Sequence, residues 1–110
     1  MPEVNRTHLK KLMAIEEDRF LKTHPKSGEL FKQAQSVMTN GVPMSWMSKW
    51  PGAYPVFVDT AQGAYFTDVD GNKYVDLCLG DTGSMTGHSP KATVDAVSYT
   101  HLTLPTNREV

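Results

Sequence analysis

The chain has 110 residues and contains a single cysteine, no long apolar run and no marked excess of charge of either sign. Cys78 alone cannot form an intrachain disulfide, and no paired cysteines are present that could hold a metal. We interpret His8 and His24 as helix-surface residues with no partner at the spacing of metal ligands, so we expect no metal site.

The lack of apolar runs and charged tracts limits the partners of the protein. No stretch approaches the roughly 20 apolar residues that a membrane-spanning helix needs. The net charge of −1, with acids and bases interspersed, gives no basic surface for nucleic acid or an anionic membrane. Charged residues rather than an apolar run follow Met1, so we expect no signal peptide and a soluble, cytoplasmic protein.

The spacing of apolar residues near the N-terminus predicts an amphipathic helix from about Thr7 to Lys22. Thr7 can cap its start, and Pro25 ends it because the residue before a proline avoids the α-helical region. The apolar residues recur at helical spacing and therefore share one face. We expect this face to be buried, and it comprises Leu9, Leu12, Met13 and Phe20.

A second helix is predicted from about Gly28 to Met38. Ser27 is its candidate N-cap, and Asn40-Gly41 supplies a left-handed stop. The face expected to be buried comprises Leu30, Phe31, Ala34, Val37 and Met38.

Three short strands are predicted near Val56–Asp59, Ala64–Asp68 and Lys73–Leu77. The connector Thr60–Gly63 joins the first two. Asp70-Gly71 forms the hairpin turn between the last two, because glycine accepts the positive φ that such turns demand. Helices beside a three-stranded antiparallel meander make an α+β fold.

Asp68, Asp70 and Asn72 stand at positions 1, 3 and 5 of a possible calcium loop. The pattern then fails, because Lys73 occupies the position of the required glycine and Leu79 that of the bidentate glutamate. We therefore interpret the three side chains as turn residues that satisfy local backbone groups.

Several segments, taken in order, resemble the N-terminal region of the class III aminotransferases, a family that includes glutamate-1-semialdehyde aminomutase. The likeness extends from about Ala34 to Val97. It is carried by Ser36–Val42, Pro55–Val58, Gly63–Leu77 and Gly87–Pro90.

The resemblance implies the N-terminal portion of a fold type I enzyme dependent on pyridoxal 5'-phosphate, with the meander in its small domain. By the same resemblance, the whole protein is a homodimer that moves an amino group between an amine or amino acid and a keto acid, with the cofactor as electron sink. In the family, the Schiff-base lysine, the aspartate under the pyridine nitrogen and the phosphate-binding loop lie further downstream. Lys73 and Lys91 stand in the wrong context to replace that lysine. We therefore expect no catalytic or cofactor-binding residue here, no tight cofactor binding and an inactive fragment.

Two departures from the aminomutases favour a transaminase. Where aminomutases carry an arginine for the substrate carboxylate, this chain has Ser45–Trp50, in which Lys49 offers only a point charge. The loop between Leu79 and His88 is also one or two residues shorter than theirs. The aminomutase, which shuffles an amino group within one molecule, remains the alternative; the donor, the acceptor and the stereochemistry stay open.

The resemblance places the segment after the third strand at the border of the substrate pocket. Asp81 and Thr82 are therefore candidate substrate contacts, because a carboxylate or hydroxyl there can orient an amine or a carboxylic acid. The alternative is a glycine-bounded connector in which Asp81 makes an Asx turn.

Two further positions have a functional and a structural interpretation. Trp46, with Met47 and Trp50, lines the pocket or a dimer interface, or else packs over the sheet. His88 is interpreted as a residue that packs and hydrogen-bonds its turn, and not as a catalytic base.

The sequence divides into residues 1–40, a helical segment; 41–97, the meander, the pocket loop and the start of a helix; and 98–110. That last helix is expected after Ser89, with Pro90 at its first position. From Val97 onward the sequence resembles a translated sequencing adapter, so we interpret 98–110 as an artefactual tail. Taken as natural sequence, the tail would be a polar, β-rich strand.

A free-standing α+β interaction module is the rival from another class of protein, and it makes the opposite physical prediction. If the chain is a fragment, its apolar faces await a missing partner domain, and residues 1–110 expressed alone are expected to aggregate or to be loosely ordered. Size-exclusion chromatography and a thermal melt test this expectation. A monodisperse protein with a cooperative melt would favour the module.

Overall fold

The computed structural model describes residues 4–49 and 51–103 of the chain. In that part, three helices and a three-stranded antiparallel sheet confirm the predicted α+β class. The helices are α1 (Arg6–Thr23), α2 (Pro25–Ala34) and α3 (Lys91–Thr103), and the strands are β1 (Val58–Gln62), β2 (Tyr65–Asp68) and β3 (Lys73–Val75), in the sheet order β1-β2-β3. Two 3₁₀ turns lie at Thr39–Gly41 and Ser45–Lys49. None of the described helices is long and apolar enough to cross a membrane.

Contacts divide the chain into two compact units. One comprises Met1–Asp59 with Asp68–Asn72, and the other comprises Thr60–Thr67 with Lys73–Val110. The first unit therefore includes Asp68–Asn72, at the turn of the β2–β3 hairpin, whereas the strand residues on either side belong to the second unit. The division predicted from the sequence, at residues 40 and 97, stays a prediction.

Helix α1 has the predicted extent, but its cap and its buried face were predicted wrongly. Asn5 caps the helix, since its side-chain oxygen accepts a hydrogen bond from the His8 amide at 2.9 Å. No residue of α1 is buried, and Leu9, Leu12 and Met13 remain 45–47% exposed. Helical spacing predicts which residues share a face, whereas burial also requires another element to cover it.

Helix α2 begins earlier than predicted, at Pro25, and ends earlier, at Ala34. Ser27 is a buried residue inside the helix and not its cap, and its hydroxyl oxygen accepts a hydrogen bond from the Phe57 amide at 3.3 Å. The expected buried face is only partly correct: Ala34 is 5% exposed, but Val37 lies beyond the helix and is 80% exposed. Asn40 and Gly41 take positive φ, at 58° and 70°, but α2 already ends at Ala34 with Gln35 as its C-cap, so they do not stop the helix as predicted.

The aromatic residues of the first unit gather around the junction of α1 and α2. Tyr54 donates a hydrogen bond from its hydroxyl to the His24 carbonyl at 3.0 Å. Its ring lies so close to Gly28 that an added Cβ would come within 2.8 Å of it. Burial, and then the nearby Asp70 carboxylate, raise the pKa of Tyr54. His24 stacks on Phe20 with ring centroids 4.3 Å apart and is buried, which corrects the expectation of a surface histidine.

Residues 69–72 form the loop of the β2–β3 hairpin, and the Asp68 amide donates a hydrogen bond to the Asn72 carbonyl at 2.9 Å. Gly71 takes the predicted positive φ, at 91°. Asp68 is 1% exposed, and its Oδ1 accepts hydrogen bonds from the amides of Asp70 at 3.0 Å and Asn72 at 2.8 Å. The interpretation of Asp68 as a turn residue is therefore confirmed.

Asp70 and Asn72 do more than satisfy their own loop. The Asp70 carboxylate accepts hydrogen bonds from the amides of Lys26 at 2.7 Å and Ser27 at 3.0 Å, the free N–H groups at the start of α2. The Asn72 amide nitrogen donates to the Thr23 carbonyl at 3.0 Å, near the end of α1. One loop thus satisfies backbone groups of both helices across the chain.

The second unit contains most of the sheet. In the β2–β3 pair, Tyr65 faces Val75, Phe66 faces Tyr74 and Thr67 faces Lys73. The predicted connector Thr60–Gly63 is wrong for its first three residues, which belong to β1, so only residues 63 and 64 separate β1 from β2.

Helix α3 begins one residue later than predicted. The Pro90 carbonyl accepts the first hydrogen bonds of α3, from the amides of Thr93 and Val94, so Pro90 precedes the helix. The Ser89 hydroxyl donates to the Ala61 carbonyl at 2.8 Å and does not cap the helix. The backbone stays helical to Thr103, so the strand expected of a natural tail is wrong for residues 98–103.

Asp70 should stabilise the protein in a pH-dependent way. Desolvation raises the pKa of Asp70, but the hydrogen bonds from Ser27 and Lys26 outweigh it and hold the pKa below 3.8. A carboxylate whose pKa is lower in the folded state stabilises that state above its unfolded pKa, and the effect is lost as the pH falls through the folded pKa. We expect Asp70→Ala to lower the free energy of unfolding by about 1 kcal/mol at pH 7.

Urea unfolding at pH 7 and in increasingly acidic buffer measures this effect. Asp18→Ala is the matched control, because that exposed carboxylate only pairs with Lys22 on the surface of α1. A loss for Asp70→Ala that persisted unchanged into strong acid would contradict the capping role.

Candidate functional site

The segment after β3 contains four consecutive residues in the left-handed region of the backbone. Their φ angles are 59° at Leu79, 56° at Gly80, 52° at Asp81 and 81° at Thr82. Left-handed helical conformation costs an L-residue other than glycine about 1–2 kcal/mol. Three of the four carry that cost, so the surrounding contacts must hold the turn in place.

Hydrogen bonds within the segment close this left-handed turn. The Asp81 amide donates to the Cys78 carbonyl at 3.1 Å, and the Gly83 amide donates to the Gly80 carbonyl at 3.2 Å. The Ser84 amide donates to the Leu79 carbonyl at 2.8 Å, which closes the turn as a whole.

Asp76 holds the start of the turn from the end of β3. Its Oδ1 accepts hydrogen bonds from the amides of Cys78 and Leu79, both at 2.9 Å. Its Oδ2 lies 2.5 Å from Nε2 of His88. The hydrogen bond from His88, and then that from the Leu79 amide, lower the pKa of Asp76, so the group is an anion at neutral pH.

His88 connects the two ends of this segment. Its Nδ1 lies 3.1 Å from the Ser84 hydroxyl. Because the Asp76 carboxylate only accepts, Nε2 carries a proton, and in the neutral imidazole Nδ1 then accepts from Ser84. The His88 backbone also exchanges two hydrogen bonds with Gly63, at 2.8 and 2.9 Å. His88 therefore hydrogen-bonds its turn, as predicted.

Asp81 and Thr82, the predicted substrate contacts, lie side by side on the left-handed turn, and both are exposed. Neither side chain hydrogen-bonds to any residue in the described part of the chain, so the Asx turn considered for Asp81 is not formed. Their polar atoms are open to a ligand. They do not line the cleft of about 400 Å³ on the sheet, whose lining includes Thr60, Gln62 and Lys73.

Trp46, the third predicted contact, belongs to the first unit. It lies in the 3₁₀ turn Ser45–Lys49 and is 59% exposed. The neighbouring Met47 is half-buried and lines an apolar hollow with Val42 and Phe57. The prediction for Trp50 lies outside the described residues.

Comparison with known proteins gives no matching protein-family profile but clear individual relatives. Glutamate-1-semialdehyde 2,1-aminomutase 1 of Listeria monocytogenes serotype 4b is 39% identical over 80 residues, which is 71% of this chain and 18% of that protein. The crystal structure of a glutamate-1-semialdehyde aminomutase from Pseudomonas aeruginosa PAO1 matches with a TM-score of 0.80 and 37% identity, over 92% of this chain and 22% of that one. A variant of the same enzyme is known in complex with PMP.

The chain is a homologue of part of the glutamate-1-semialdehyde aminomutases and related transaminases. It spans about one fifth of the length of the relatives it matches. A β-phenylalanine aminotransferase from Variovorax paradoxus has the same fold, with a TM-score of 0.73 at 24% identity over 86% of this chain. The helices and the sheet match the N-terminal part of a fold type I enzyme dependent on pyridoxal 5'-phosphate, as the resemblance implied.

In the part of the chain that the structure describes, no lysine lies in the setting that a Schiff base with that cofactor needs. A Schiff base needs a lysine held in an enclosed pocket, whereas every lysine of the chain lies in the described part and is exposed. Lys73 lies over the Tyr65 ring at 4.4 Å, and Lys91 pairs with Asp95 at 2.6 Å. The family's cofactor chemistry therefore requires residues beyond this segment.

Sequence reasoning missed Asp76 and Ser84. Asp76 was seen only as the end of a strand, and Ser84 only as part of a glycine-bounded loop. No local pattern marks them, because their partner, His88, lies 12 residues beyond Asp76 and meets it only after the segment folds back.

The strain at Leu79 can be tested by a glycine substitution. Glycine takes positive φ without the steric penalty of a Cβ, so Leu79→Gly should raise the free energy of unfolding by about 1 kcal/mol. Urea unfolding measures the change, and Leu79→Ala is the matched control because it removes the side chain but keeps the Cβ. Equal effects of the two variants would show that Leu79 is not strained.

Proposed function

We propose that the chain is the N-terminal part of a class III transaminase that moves an amino group from an amine or amino acid to a keto acid. The observation that carries the proposal is the left-handed turn, which presents the free polar groups of Asp81 and Thr82 at a strained position. Strained backbone clusters at ligand-binding sites, where the surrounding structure enforces it.

In this proposal Asp81 and Thr82 orient the substrate, and neither is a catalytic group. The Asp81 carboxylate attracts an ammonium group, and the Thr82 hydroxyl donates to or accepts from a neighbouring polar atom. Trp46, with its large exposed ring, supplies an apolar contact to the substrate or to a second subunit. Pyridoxal 5'-phosphate supplies the electron sink, and the residues that hold it lie outside this segment.

The assembly and the location follow the family resemblance. We propose a homodimer that acts in the cytoplasm on small amines or amino acids and keto acids.

A second candidate is the aminomutase, because relatives matched at 39% and 37% identity carry that name. The segment Ser45–Trp50 argues against it, since it holds no arginine to bind a carboxylate as a bidentate fork. The two reactions differ in stoichiometry. Transamination needs a separate keto acid that receives the amino group, whereas an aminomutase returns it to the same molecule.

The first experiment is to extend the genomic reading frame past codon 97 and express the full-length protein. We expect several hundred further residues that include a lysine-bearing cofactor site. Turnover of an amine that depends on an added keto acid would support the transaminase, and turnover of glutamate-1-semialdehyde without one would support the aminomutase. A reading frame that ends at Val110 would contradict both.

A charge-neutralising substitution tests Asp81 directly. Asn tolerates the left-handed conformation as Asp does, so Asp81→Asn removes the charge and keeps the turn. Loss of a charged hydrogen bond should raise KM for the amino donor by about 10-fold or more, with a smaller change in kcat. Asp95→Asn, at an exposed carboxylate of α3, is the control, and an unchanged KM for Asp81→Asn would remove Asp81 from the substrate site.

A further inference from the structure

We propose that Asp76, His88 and Ser84 form a positioning clamp that holds the left-handed turn Leu79–Thr82 in the shape that presents Asp81 and Thr82. The inference deepens the proposed function and rests on it for the substrate role of those two residues. None of the three clamp residues needs to touch substrate.

The clamp holds both ends of the turn through one imidazole. Asp76 binds the amides of Cys78 and Leu79 with one oxygen and His88 with the other. His88 receives the Ser84 hydroxyl on its second nitrogen, and the Ser84 amide closes the turn on the Leu79 carbonyl. The path of hydrogen bonds therefore runs from the end of β3 through His88 to the far end of the turn.

The clamp is fixed to the sheet and is shielded from water. The His88 backbone is paired with Gly63, at the end of β1, by two hydrogen bonds. The side chains of His88 and Asp76 are only 20% and 10% exposed. Water therefore competes weakly for their hydrogen bond, which gives the turn a firm base.

The geometry favours positioning over nucleophilic catalysis. In a serine-histidine-aspartate triad the carboxylate binds Nδ1 of the imidazole and the serine faces Nε2. Here the arrangement is reversed, with Asp76 at Nε2 and Ser84 at Nδ1. The Ser84 amide already donates to Leu79, so it offers no free N–H group to a developing oxyanion.

The clamp explains how three residues other than glycine keep positive φ in an exposed segment. Without Asp76 the amides of Cys78 and Leu79 lose their acceptor, and the residues of the turn can relax to ordinary conformations. This explanation makes a specific prediction. Glycine at position 79 would keep the left-handed shape even when the hydrogen bonds of the clamp are lost, because glycine takes positive φ without strain.

A double-mutant cycle in the full-length protein tests this coupling. The variants are Asp76→Ala, Leu79→Gly and the double variant, with Leu79→Ala in the Asp76→Ala background as the matched control for rescue. Ser84→Ala is a milder second variant in case Asp76→Ala does not fold. The measurements are hydrogen exchange of the Ser84 amide, and KM and kcat for the amino donor.

We expect Asp76→Ala to speed exchange at Ser84 and to raise KM by up to about 100-fold, with a smaller effect on kcat. Leu79→Gly should restore most of both losses, and Leu79→Ala should restore neither. Ser84→Ala should change both quantities in the same direction by less. A fall in kcat of about 1,000-fold or more in Ser84→Ala, with KM unchanged, would indicate a nucleophile and overturn the proposal.

The two readouts separate the clamp from the proposed function. Hydrogen exchange of the Ser84 amide could follow the expected pattern while KM is unchanged in both Asp76→Ala and Asp81→Asn. That result would support the clamp and refute the substrate role of the turn. If glycine and alanine at position 79 rescue exchange equally, Asp76 does not hold a strained turn and the clamp is refuted.

Discussion

The first unit depends on one short hairpin loop, in which Asp70 and Asn72 bind backbone groups far away in sequence. Asp70 caps α2 from 44 residues away, and Asn72 reaches the Thr23 carbonyl near the end of α1. Asp68 is buried and holds the loop in shape from within. Because helix ends leave backbone groups without partners inside the helix, a carboxylate at the start of α2 satisfies two at once. The unit has few buried apolar residues, so these polar contacts define how its helices and loop fit together.

In the second unit a carboxylate also accepts hydrogen bonds from backbone amides, but the element that it stabilises is different. Asp76 also uses a carboxylate to bind consecutive backbone amides, but it stabilises a left-handed turn and not a helix. The helix that Asp70 caps, α2, has ordinary helical backbone angles. The turn at residues 79–82 is strained, because three of its residues other than glycine have positive φ. Structure that is maintained at such a cost in an exposed segment is typical of binding sites.

The family relationship gives these local features their setting. The chain corresponds to about one fifth of the matched enzymes, and the exposed apolar face of α1 is consistent with a segment that packs against further protein. Every lysine of the chain is exposed, which does not suit a Schiff base. In the proposed function, this segment contributes the shape of the turn that presents Asp81 and Thr82.

The sequence by itself determined the element types, the hairpin at Asp70-Gly71 and the family. These are local properties, set by apolar spacing, by proline and glycine geometry and by the order of short motifs. The caps of α1 and α2 and the buried face of α1 were predicted wrongly, because the true partner of an amide or an apolar face depends on which segment folds against it. Asp81 and Thr82 were predicted as substrate contacts by resemblance, which gave no sign of their left-handed backbone.

Only the tertiary structure showed that Asp76, Ser84 and His88 meet, and that Asp70 caps a helix from a distant loop. Hydrogen bonds between residues far apart along the chain leave no periodic pattern in the amino-acid sequence. They form when the chain has already brought the groups within about 3 Å of one another.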